Sequence, residues 1–518
     1  METLLPQVQE NLRSLAWFRP ELVLGGGSLL LFLLDLVWRR SAARVLWLTG
    51  AALAIVGVAA ALLAAQPPDG QVLFNGMIAN DAFANFFKWL FLAAGGLTVL
   101  IAAQGKDFPP GKLGQFYALL LSIVLGMFLM ASATDLLMVY LGLELVSMVS
   151  YVLAGYRKGD RKASEGSLKY VIYGGVASGV MLFGMSYLYG LTGTTSLLEL
   201  STRLGQLDAT PGLALAATRV ALVVAIVFVL AGVGYKIAAV PWHMWCPDVY
   251  EGAPTPFTAF LSVGPKAAGF ALAIRLFQSA FTDAPPGADG LAAAVAGIPW
   301  PAVLGVLAAI TMTLGNLTAL GQTNLKRLLA YSSISHAGYT LMGLSTVSTL
   351  GNQAVMMYML VYLVMNLGAF VVVILVAEST GTESILDYRG LSRRHPVAAI
   401  SFAIFLFSLT GLPPFAGFAG KWYLFYAVFQ RISGPGGGWY ALLALVGALN
   451  TTVSLYYYMR IVRAMFIDPP FAETPVTMER RVGYQLMLGG FSTAILVFGL
   501  WWSPLIRWTG ASLEIFRG

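Results

Sequence analysis

Apolar runs of about 20 residues, separated by short polar segments, repeat along almost the whole chain. As a helix, a run of that length crosses a hydrocarbon core of about 30 Å. The pattern predicts an all-α polytopic membrane protein with about fourteen spans. The predicted bounds are 20–38, 43–65, 80–103, 114–132, 135–155, 166–192, 215–240, 255–281, 301–320, 326–347, 353–377, 397–430, 438–465 and 483–506.

The placement of lysine and arginine supports this count, because cytoplasmic loops of membrane proteins are enriched in both. Segments after odd-numbered spans carry about nine times as many of these residues as segments after even-numbered spans. The former hold Arg39, Arg40, Arg44, Lys106, Lys112, Arg157, Lys158, Arg161, Lys162, Lys326, Arg327, Arg389, Arg393, Arg394, Arg460, Arg463, Arg480 and Arg481, and the latter hold Arg203 and Arg431. We therefore expect both termini on the non-cytoplasmic side of the membrane.

Two spans are interrupted by glycine and proline around a lysine. They are the seventh, with "FVLAGVGYKIAAVPWH", and the twelfth, with "LTGLPPFAGFAGKWYLF". Interrupted spans at corresponding places in two halves indicate a transporter built from inverted repeats. We predict an N-terminal three-helix segment (1–113), a first five-helix repeat (114–281, spans four to eight), a second, inverted repeat (301–467, spans nine to thirteen) and a C-terminal helix (468–518). The segment after span seven reads as an ordered connector with a helical turn.

Composition supports a membrane protein, since 58% of residues are hydrophobic and only 11% are charged. A soluble globular protein carries roughly a quarter charged residues. The net charge of +7 resides in short loops, so it does not indicate a nucleic-acid partner. The single cysteine, Cys246, excludes an intrachain disulfide, and no Cys/His cluster predicts a metal or iron–sulfur site. The first residues lack the basic start and cleavage site of a signal peptide.

Four ionisable residues lie deep inside predicted spans: Glu144, Lys236, Lys266 and Lys421. A charge at bilayer depth costs at least about 2.5–3.5 kcal/mol. Such groups must therefore pair, face water or become neutral. Burial favours the neutral form of an amine, so a buried lysine can accept and release a proton. The four residues together indicate a proton relay.

Each of these residues also has a purely structural interpretation. Glu144 has Tyr140, Ser147 and Tyr151 at helical spacing, and these hydroxyls could simply satisfy it. Lys236 and Lys421 could extend from span ends to the membrane surface. Lys266 follows a proline, which either frees backbone groups for a hydrated pocket or makes a structural kink.

His336 lies among hydroxyl groups in "LKRLLAYSSISHAGYTLMGL", with Ser332, Ser333 and Tyr339 one turn away. A histidine there could pass protons, or it could be a satisfied interior group; the sequence favours neither. For the remaining ionisable groups in or near spans we expect lesser roles. His243 and His395 are expected to be structural, and Asp35, Asp81 and Lys88 to be interfacial.

Three stretches resemble signatures of the antiporter-like membrane subunits of respiratory complex I, the proton-pumping NADH:quinone oxidoreductase. They are "YKIAAVPWHMWCPDVYEGAPTPFTAFLSVGPKAAGF", "GQTNLKRLLAYSSISHAGY" and "LTGLPPFAGFAGKW". The segment "HMWCPDVYEGAPTPFTAFLSVG" and the lysine at 421 resemble those of subunit N rather than those of M or L. A different class with related spans, a subunit of a cation/proton antiporter, stands as the alternative, and a purely structural membrane spacer as a third.

The resemblance implies roles for the buried residues. Glu144 and Lys236 would form the input pair, Lys266 the connecting group and Lys421 the terminal proton site. It also implies that this chain binds no cofactor itself, while NADH, FMN, iron–sulfur clusters and quinone belong to other subunits. The implied partners are subunit M, the small membrane subunits and the lipid bilayer, with no nucleic acid. The implied location is the bacterial cytoplasmic (inner) membrane.

Overall fold

A computed structural model describes residues 4–67, 70–108, 110–207, 213–283, 290–295, 298–434, 436–470 and 481–516. Arg480, one of the predicted loop arginines, lies outside these ranges. The helices are α1 Leu4–Trp17, α2 Arg19–Val37, α3 Arg44–Ala64, α4 Ala82–Gln104, α5 Leu113–Ser132, α6 Leu136–Ala154, α7 Arg161–Thr192, α8 Leu197–Leu207, α9 Leu213–Ile237, α10 Cys246–Gly252, α11 Thr255–Ala280, α12 Trp300–Leu320, α13 Leu325–Leu344, α14 Thr349–Thr380, α15 Leu391–Arg394, α16 Pro396–Thr410, α17 Ala416–Ile432, α18 Gly437–Phe466, α19 Val482–Leu500 and α20 Ser503–Ala511. A short antiparallel hairpin pairs β1 (Gln71–Leu73) with β2 (Ile78–Asn80).

The all-α membrane fold predicted from the apolar pattern is confirmed. Twelve helices of the described chain are long and apolar enough to cross a membrane. A described helix lies at each of the predicted spans. Two of these spans, formed by α13 and by the pair α16–α17, are not among the twelve long apolar helices. The last span is shorter than predicted: α19 ends at Leu500, and α20 follows as a separate helix.

The core lies around α11 and α14. Each long helix contains an apolar stretch of 18 residues. All residues of this stretch are buried in α11 and 89% are buried in α14, but less than a third are buried in α3 or α19. α11 is therefore surrounded by other helices, and it packs against α4, α5, α9 and α14. Three of the four buried ionisable residues predicted as a relay lie on α11 or on the broken helices (α9–α10 and α16–α17).

Two corners of the chain are built alike. At the first, Asp135 caps α6 and bridges Ser196, just after α7; at the second, Asn324 caps α13 and bridges Ser384, just after α14. α7 and α14 each have 32 residues and each end at a glycine with positive φ, Gly193 or Gly381. Because successive long helices alternate in direction, the two corners lie at opposite ends of the bundle. This likeness supports the expected inversion between the two halves.

Both predicted interruptions are real breaks, but the lysines lie on different sides of them. Lys236 is in the last turn of α9, before the break, whereas Lys421 is in the second turn of α17, after it. The segment after α9 forms turns and then the short helix α10, as expected for an ordered connector. Each break leaves two half-helices with ends inside the protein.

Asp81 and Lys88, which we expect to be interfacial, are buried within the protein, and each has a partner of opposite charge. Asp81 is 1% exposed and forms a bidentate ion pair with Arg275 of α11, with both N–O distances 2.8 Å. Lys88 pairs with Glu21 of α2 at 2.7 Å, and both side chains are buried. Each charge needs a buried partner of opposite sign, because the bundle excludes water there. Asp35 pairs with Arg44 at 2.6 Å between α2 and α3.

Candidate functional site

Lys236 reaches the hydroxyl of Ser147 and not the carboxylate of Glu144. Its Nζ donates to Ser147 Oγ at 2.9 Å, and Ser147 lies three residues beyond Glu144 on α6. The Glu144 Oε1 atom is buried without a hydrogen-bond partner in the described chain. Lys236 of α9 therefore approaches α6 one turn from Glu144, with a serine hydroxyl directly beside its ammonium.

A glycine on α7 makes room for two tyrosines of this region. A Cβ atom on Gly174 would lie 1.8 Å from Tyr151 Oη and 2.6 Å from Tyr235 Oη. Tyr151 is the residue predicted to share a face with Glu144, and Tyr235 directly precedes Lys236. Both rings pack against Tyr170. A glycine at this position thus allows the two tyrosine hydroxyls to lie directly against the backbone of α7 near the input pair.

Lys266 contacts the second half of the bundle. Its Nζ donates to Ser333 Oγ of α13 at 2.5 Å, and Tyr250 Oη lies 3.4 Å from the same oxygen. Lys236 of α9 packs against α11 one turn beyond Lys266, where a Cβ atom on Gly269 would be 3.3 Å from Lys236 Cγ. The connecting lysine thus lies between the first lysine and the polar face of α13. α11 continues through Pro265 as a single helix.

His336 is held by two tyrosines. Its Nδ1 lies 2.5 Å from Tyr358 Oη of α14, and its Nε2 lies 3.3 Å from Tyr458 Oη of α18. Of the hydroxyls predicted beside it, Ser332 is linked indirectly, through a 2.5 Å contact with Tyr458. Both ring nitrogens of this buried histidine therefore have hydroxyl partners, which suits either of its two interpretations.

Lys421 has no carboxylate partner within the described ranges. Its Nζ donates to the carbonyl oxygen of Thr410 at 2.8 Å and lies 4.4 Å above the ring of Tyr339. An aromatic face at that distance stabilises a cation. Gly411 leaves room for the Lys421 side chain, since a Cβ atom at position 411 would lie 2.8 Å from Lys421 Cδ. The φ angle of +90° at this position also favours glycine.

A polar stripe on α14 was not predicted from the sequence. Tyr358, Tyr362 and Asn366 are spaced four residues apart and all are buried. Asn366 Nδ2 donates to Ser262 Oγ of α11 at 2.5 Å, while Asn366 Oδ1 and Tyr362 Oη have no hydrogen-bond partner among the described residues. The signal was present as polar residues at i, i+4 and i+8 in "YMLVYLVMN".

The polar groups extend from the first repeat into the second. Ser333 is next to Ser332 on α13. The Ser332 hydroxyl contacts the Tyr458 hydroxyl, which in turn contacts Nε2 of His336. Tyr358 then packs against α17: a Cβ atom on Gly420, the residue before Lys421, would lie 2.7 Å from the Tyr358 ring. Hydroxyl and amine groups therefore recur along the centre of the bundle from α6 to α17.

The other histidines and the cysteine lie at helix ends or in the break after α9. His395 caps α16, its Nδ1 accepting from Ala398 N at 3.4 Å, which supports the expected structural role. His243 is buried in the break after α9, and Cys246 is buried and unpaired at the start of α10. Within the described ranges no group of three or more His, Cys, Asp or Glu residues could hold a metal ion.

Comparison with known proteins identifies the family. A family model described as "NADH:quinone oxidoreductase/Mrp antiporter, TM" matches residues 133–451. The NADH-quinone oxidoreductase subunit N of Anaeromyxobacter sp. (strain Fw109-5) is 76% identical over the full length of both chains. The chain belongs to the NADH-quinone oxidoreductase subunit N family. A subunit N 2 of Sorangium cellulosum is 45% identical over 99% of this chain and all of its own.

Solved structures agree with this assignment. A chain of respiratory complex I from Thermus thermophilus superposes with a TM-score of 0.75 and 31% identity, covering 94% of this chain and 98% of that one. A chain of the Mrp complex from Dietzia sp. DQ12-45-1b superposes with a TM-score of 0.74, covering 97% of this chain and 98% of that one, at only 19% identity. The second likeness is one of fold alone.

Proposed function

We propose that this chain translocates protons across the membrane as subunit N of an NADH:quinone oxidoreductase, driven by quinone reduction elsewhere in the complex. The observation that carries the proposal is the row of buried amines with hydroxyl partners. Lys236 donates to Ser147, and Lys266 donates to Ser333. Amines that alternate between charged and neutral forms, linked by hydroxyls, are suited to passing protons.

In the proposed cycle the carboxylate of Glu144 stabilises a proton on Lys236 by Coulomb attraction. When a neighbouring subunit withdraws or neutralises that charge, the proton leaves Lys236 for Lys266. From there it passes by Ser333 and His336 towards Lys421. The broken helices line this route with backbone groups that an intact helix would keep for itself.

A difference in surroundings supports a direction for this route. Lys236 donates to a serine one turn from the Glu144 carboxylate, whereas Lys421 faces a carbonyl and an aromatic ring. A proton on Lys421 therefore has no full negative charge beside it and leaves more readily. We propose that the Glu144 half receives protons from the cytoplasm and the Lys421 half releases them on the opposite side.

The proposal includes the organisation of the chain and its surroundings. The repeats would span 114–281 and 301–467, between the N-terminal segment 1–113 and the C-terminal segment 468–518. Both termini would face away from the cytoplasm of a bacterial inner membrane. Subunit M and the small membrane subunits would be the neighbours, and NADH, FMN, iron–sulfur clusters and quinone would be bound by other chains.

The test uses the assembled complex in sealed vesicles with NADH as the driving substrate. Lys236→Ala and Glu144→Gln should each lower the rate of proton translocation by at least about tenfold. The control is Lys158→Ala, because Lys158 is an exposed lysine outside the row. Full proton stoichiometry in either variant would overturn the proposal, and proton exchange for a cation without NADH would favour the antiporter alternative.

A further inference from the structure

The short helix α10 is held by a compact ionic group. Asp248 lies 2.5 Å from Lys169 Nζ and 2.6 Å from Arg327 Nη1. Glu251 lies 2.9 Å from the same arginine and 2.7 Å from Lys162 Nζ. We name these five residues the α10 clamp. Two acids of α10 thus connect to three bases, of which two lie on α7 and one on α13.

Close backbone contacts leave α10 little freedom against α7. A Cβ atom on Gly252 would lie 2.3 Å from the Lys162 carbonyl oxygen, and one on Gly166 would lie 2.9 Å from that of Asp248. Backbone atoms of the two helices therefore touch where the clamp joins them. A displacement of α10 would have to break ion pairs and repack this contact together.

A buried lysine of α13 completes the attachment. Lys326 is fully buried, and its Nζ donates to the carbonyl oxygens of Glu251 at 3.0 Å and Ala253 at 2.9 Å. The same ammonium pairs with Glu383 at 3.0 Å. Positive charge at the carbonyl end of a helix is favourable. The clamp and Lys326 therefore fix the end of α10 to the second half of the bundle.

The other face of α10 and the residue before it reach the immediate surroundings of both early lysines of the row. Trp245 Nε1 donates to the carbonyl oxygen of Tyr235, directly before Lys236, at 3.1 Å. Tyr250 places its ring 5.9 Å from Lys266 Nζ and its hydroxyl beside that lysine's serine partner. One seven-residue helix thus joins the ionic group to the surroundings of two amines.

We propose that Asp248 and Glu251 are positioning residues for proton transfer. By fixing α10 they set the surroundings of Lys236 and Lys266, so the clamp holds the geometry in which these amines exchange protons. This inference rests on the proposed function. It goes beyond that function by assigning a role to an ionic group that carries no proton itself.

The decisive measurement is the pH profile of NADH-driven proton translocation by the assembled complex. Asp248→Asn removes both ion pairs of one clamp acid. We expect it to lower the rate several-fold and to move the half-maximal pH by at least about 0.5 unit, because the surroundings of titrating groups change. The matched control is Glu165→Gln: Glu165 pairs with the same Lys169 at 2.8 Å but lies on α7, where it holds nothing of α10.

A merely structural clamp predicts a different result. It would lower the amount of assembled complex, normalised by NADH oxidation with an artificial acceptor, and leave the pH profile in place. Asp248→Glu, which keeps the charge, should restore part of the wild-type profile. An Asp248→Asn complex with normal yield and a wild-type profile would rule the inference out.

Tyr250→Phe covers the case in which Asp248→Asn fails to assemble. It removes one hydroxyl near Ser333 and leaves the clamp intact, and we expect a pH shift in the same direction. A wild-type profile in Tyr250→Phe would then overturn the inference. If Lys236→Ala pumps normally, the proposed function itself fails; if Lys236→Ala is inactive and the α10 variants behave as wild type, only this inference fails.

Discussion

The ammonium of Lys421 donates to the carbonyl oxygen of Thr410, the last residue of α16, at 2.8 Å. Lys236 lies in the last turn of α9. The Lys236 ammonium donates to Ser147 of α6, whereas the Lys421 ammonium lies at the carbonyl end of α16. Backbone dipoles favour a positive charge there. The two broken helices therefore give their lysines different partners, a serine hydroxyl for Lys236 and a helix-end carbonyl for Lys421.

Replacing Lys421 by arginine tests whether its proton must leave. Arginine keeps the charge and can still donate to Thr410, but it does not deprotonate in proteins. We expect Lys421→Arg and Lys421→Met to assemble and both to lower NADH-driven proton translocation by at least about tenfold. Wild-type translocation by Lys421→Arg would show that this residue holds charge without releasing a proton.

His336→Gln separates the two interpretations of the buried histidine. Glutamine can still hydrogen-bond Tyr358 but cannot take up a proton near neutral pH. If His336 carries protons, the variant should assemble normally and translocate several-fold more slowly. Tyr458→Phe, which removes one hydroxyl partner and leaves the ring nitrogens, is the comparison. An unchanged rate in His336→Gln would leave the histidine as a satisfied interior group.

Arg275→Ala should strongly destabilise the protein. It leaves the carboxylate of Asp81 buried without its partner, which costs about 3–5 kcal/mol. Denaturant unfolding of the purified subunit in detergent measures the loss. The control is Arg203→Ala, whose partner Glu199 is 58% exposed, and for such a surface pair we expect less than about 1 kcal/mol. Equal losses in the two variants would contradict the assigned difference between them.

The α10 clamp should weaken in acid. Burial alone raises the pKa of the Asp248 carboxyl, but hydrogen bonds and charge from Lys169 and Arg327 outweigh it and lower the pKa. The pKa of Glu251 is likewise lowered, since Lys162 and Arg327 outweigh its burial. The stabilisation is therefore complete above the unfolded-chain values near about 4 and is lost as pH falls through the lower folded-state values.

Thermal unfolding between pH 6 and about pH 3 checks this expectation. The wild-type midpoint should fall more steeply over the acid part of that range than the midpoint of Asp248→Asn/Glu251→Gln. The double variant should already be less stable at pH 6 because its side chains cannot form the ion pairs. Parallel curves would exclude a stabilising role for the two carboxylates.

Gly174→Ala and Gly175→Ala make a matched pair on adjacent positions of α7. The new methyl group meets Tyr151 at the first position and open space at the second. We expect Gly174→Ala to cost about 1–3 kcal/mol through overpacking. Gly175→Ala should be neutral or stabilising by up to about 1 kcal/mol, because alanine favours the helix. Denaturant unfolding compares the two, and equal effects would argue against the close contact.

Much of the architecture could be predicted from the sequence because a membrane imposes simple constraints on length and hydropathy. Helix bounds lie within a few residues of the predicted spans over most of the chain. Both interruptions were visible because glycine and proline, which break helices, stand around a lysine inside an apolar run. The four buried ionisable residues were visible for the same reason, since charge within a span is costly.

The pairing of charges could not be predicted. Arg275 meets Asp81 from a position 194 residues away, and Glu21 meets Lys88 across two helices. Nothing in local spacing shows which distant helix presents the partner. The same limit applies to Lys421, whose carbonyl partner depends on how the chain turns at the break. The stripe on α14 is visible in its four-residue spacing, but the residues that it contacts are not.

The two like corners described above bear on how the chain is made. Asp135 meets Thr195 at a separation of 60 residues, and Asn324 meets Glu383 at a separation of 59. Each corner closes a unit of two long helices, α6 and α7 or α13 and α14, using only its own stretch of chain. During synthesis, the first unit can lock its helices together before the second has left the ribosome. Biogenesis of this protein then becomes two short, similar assembly steps in succession.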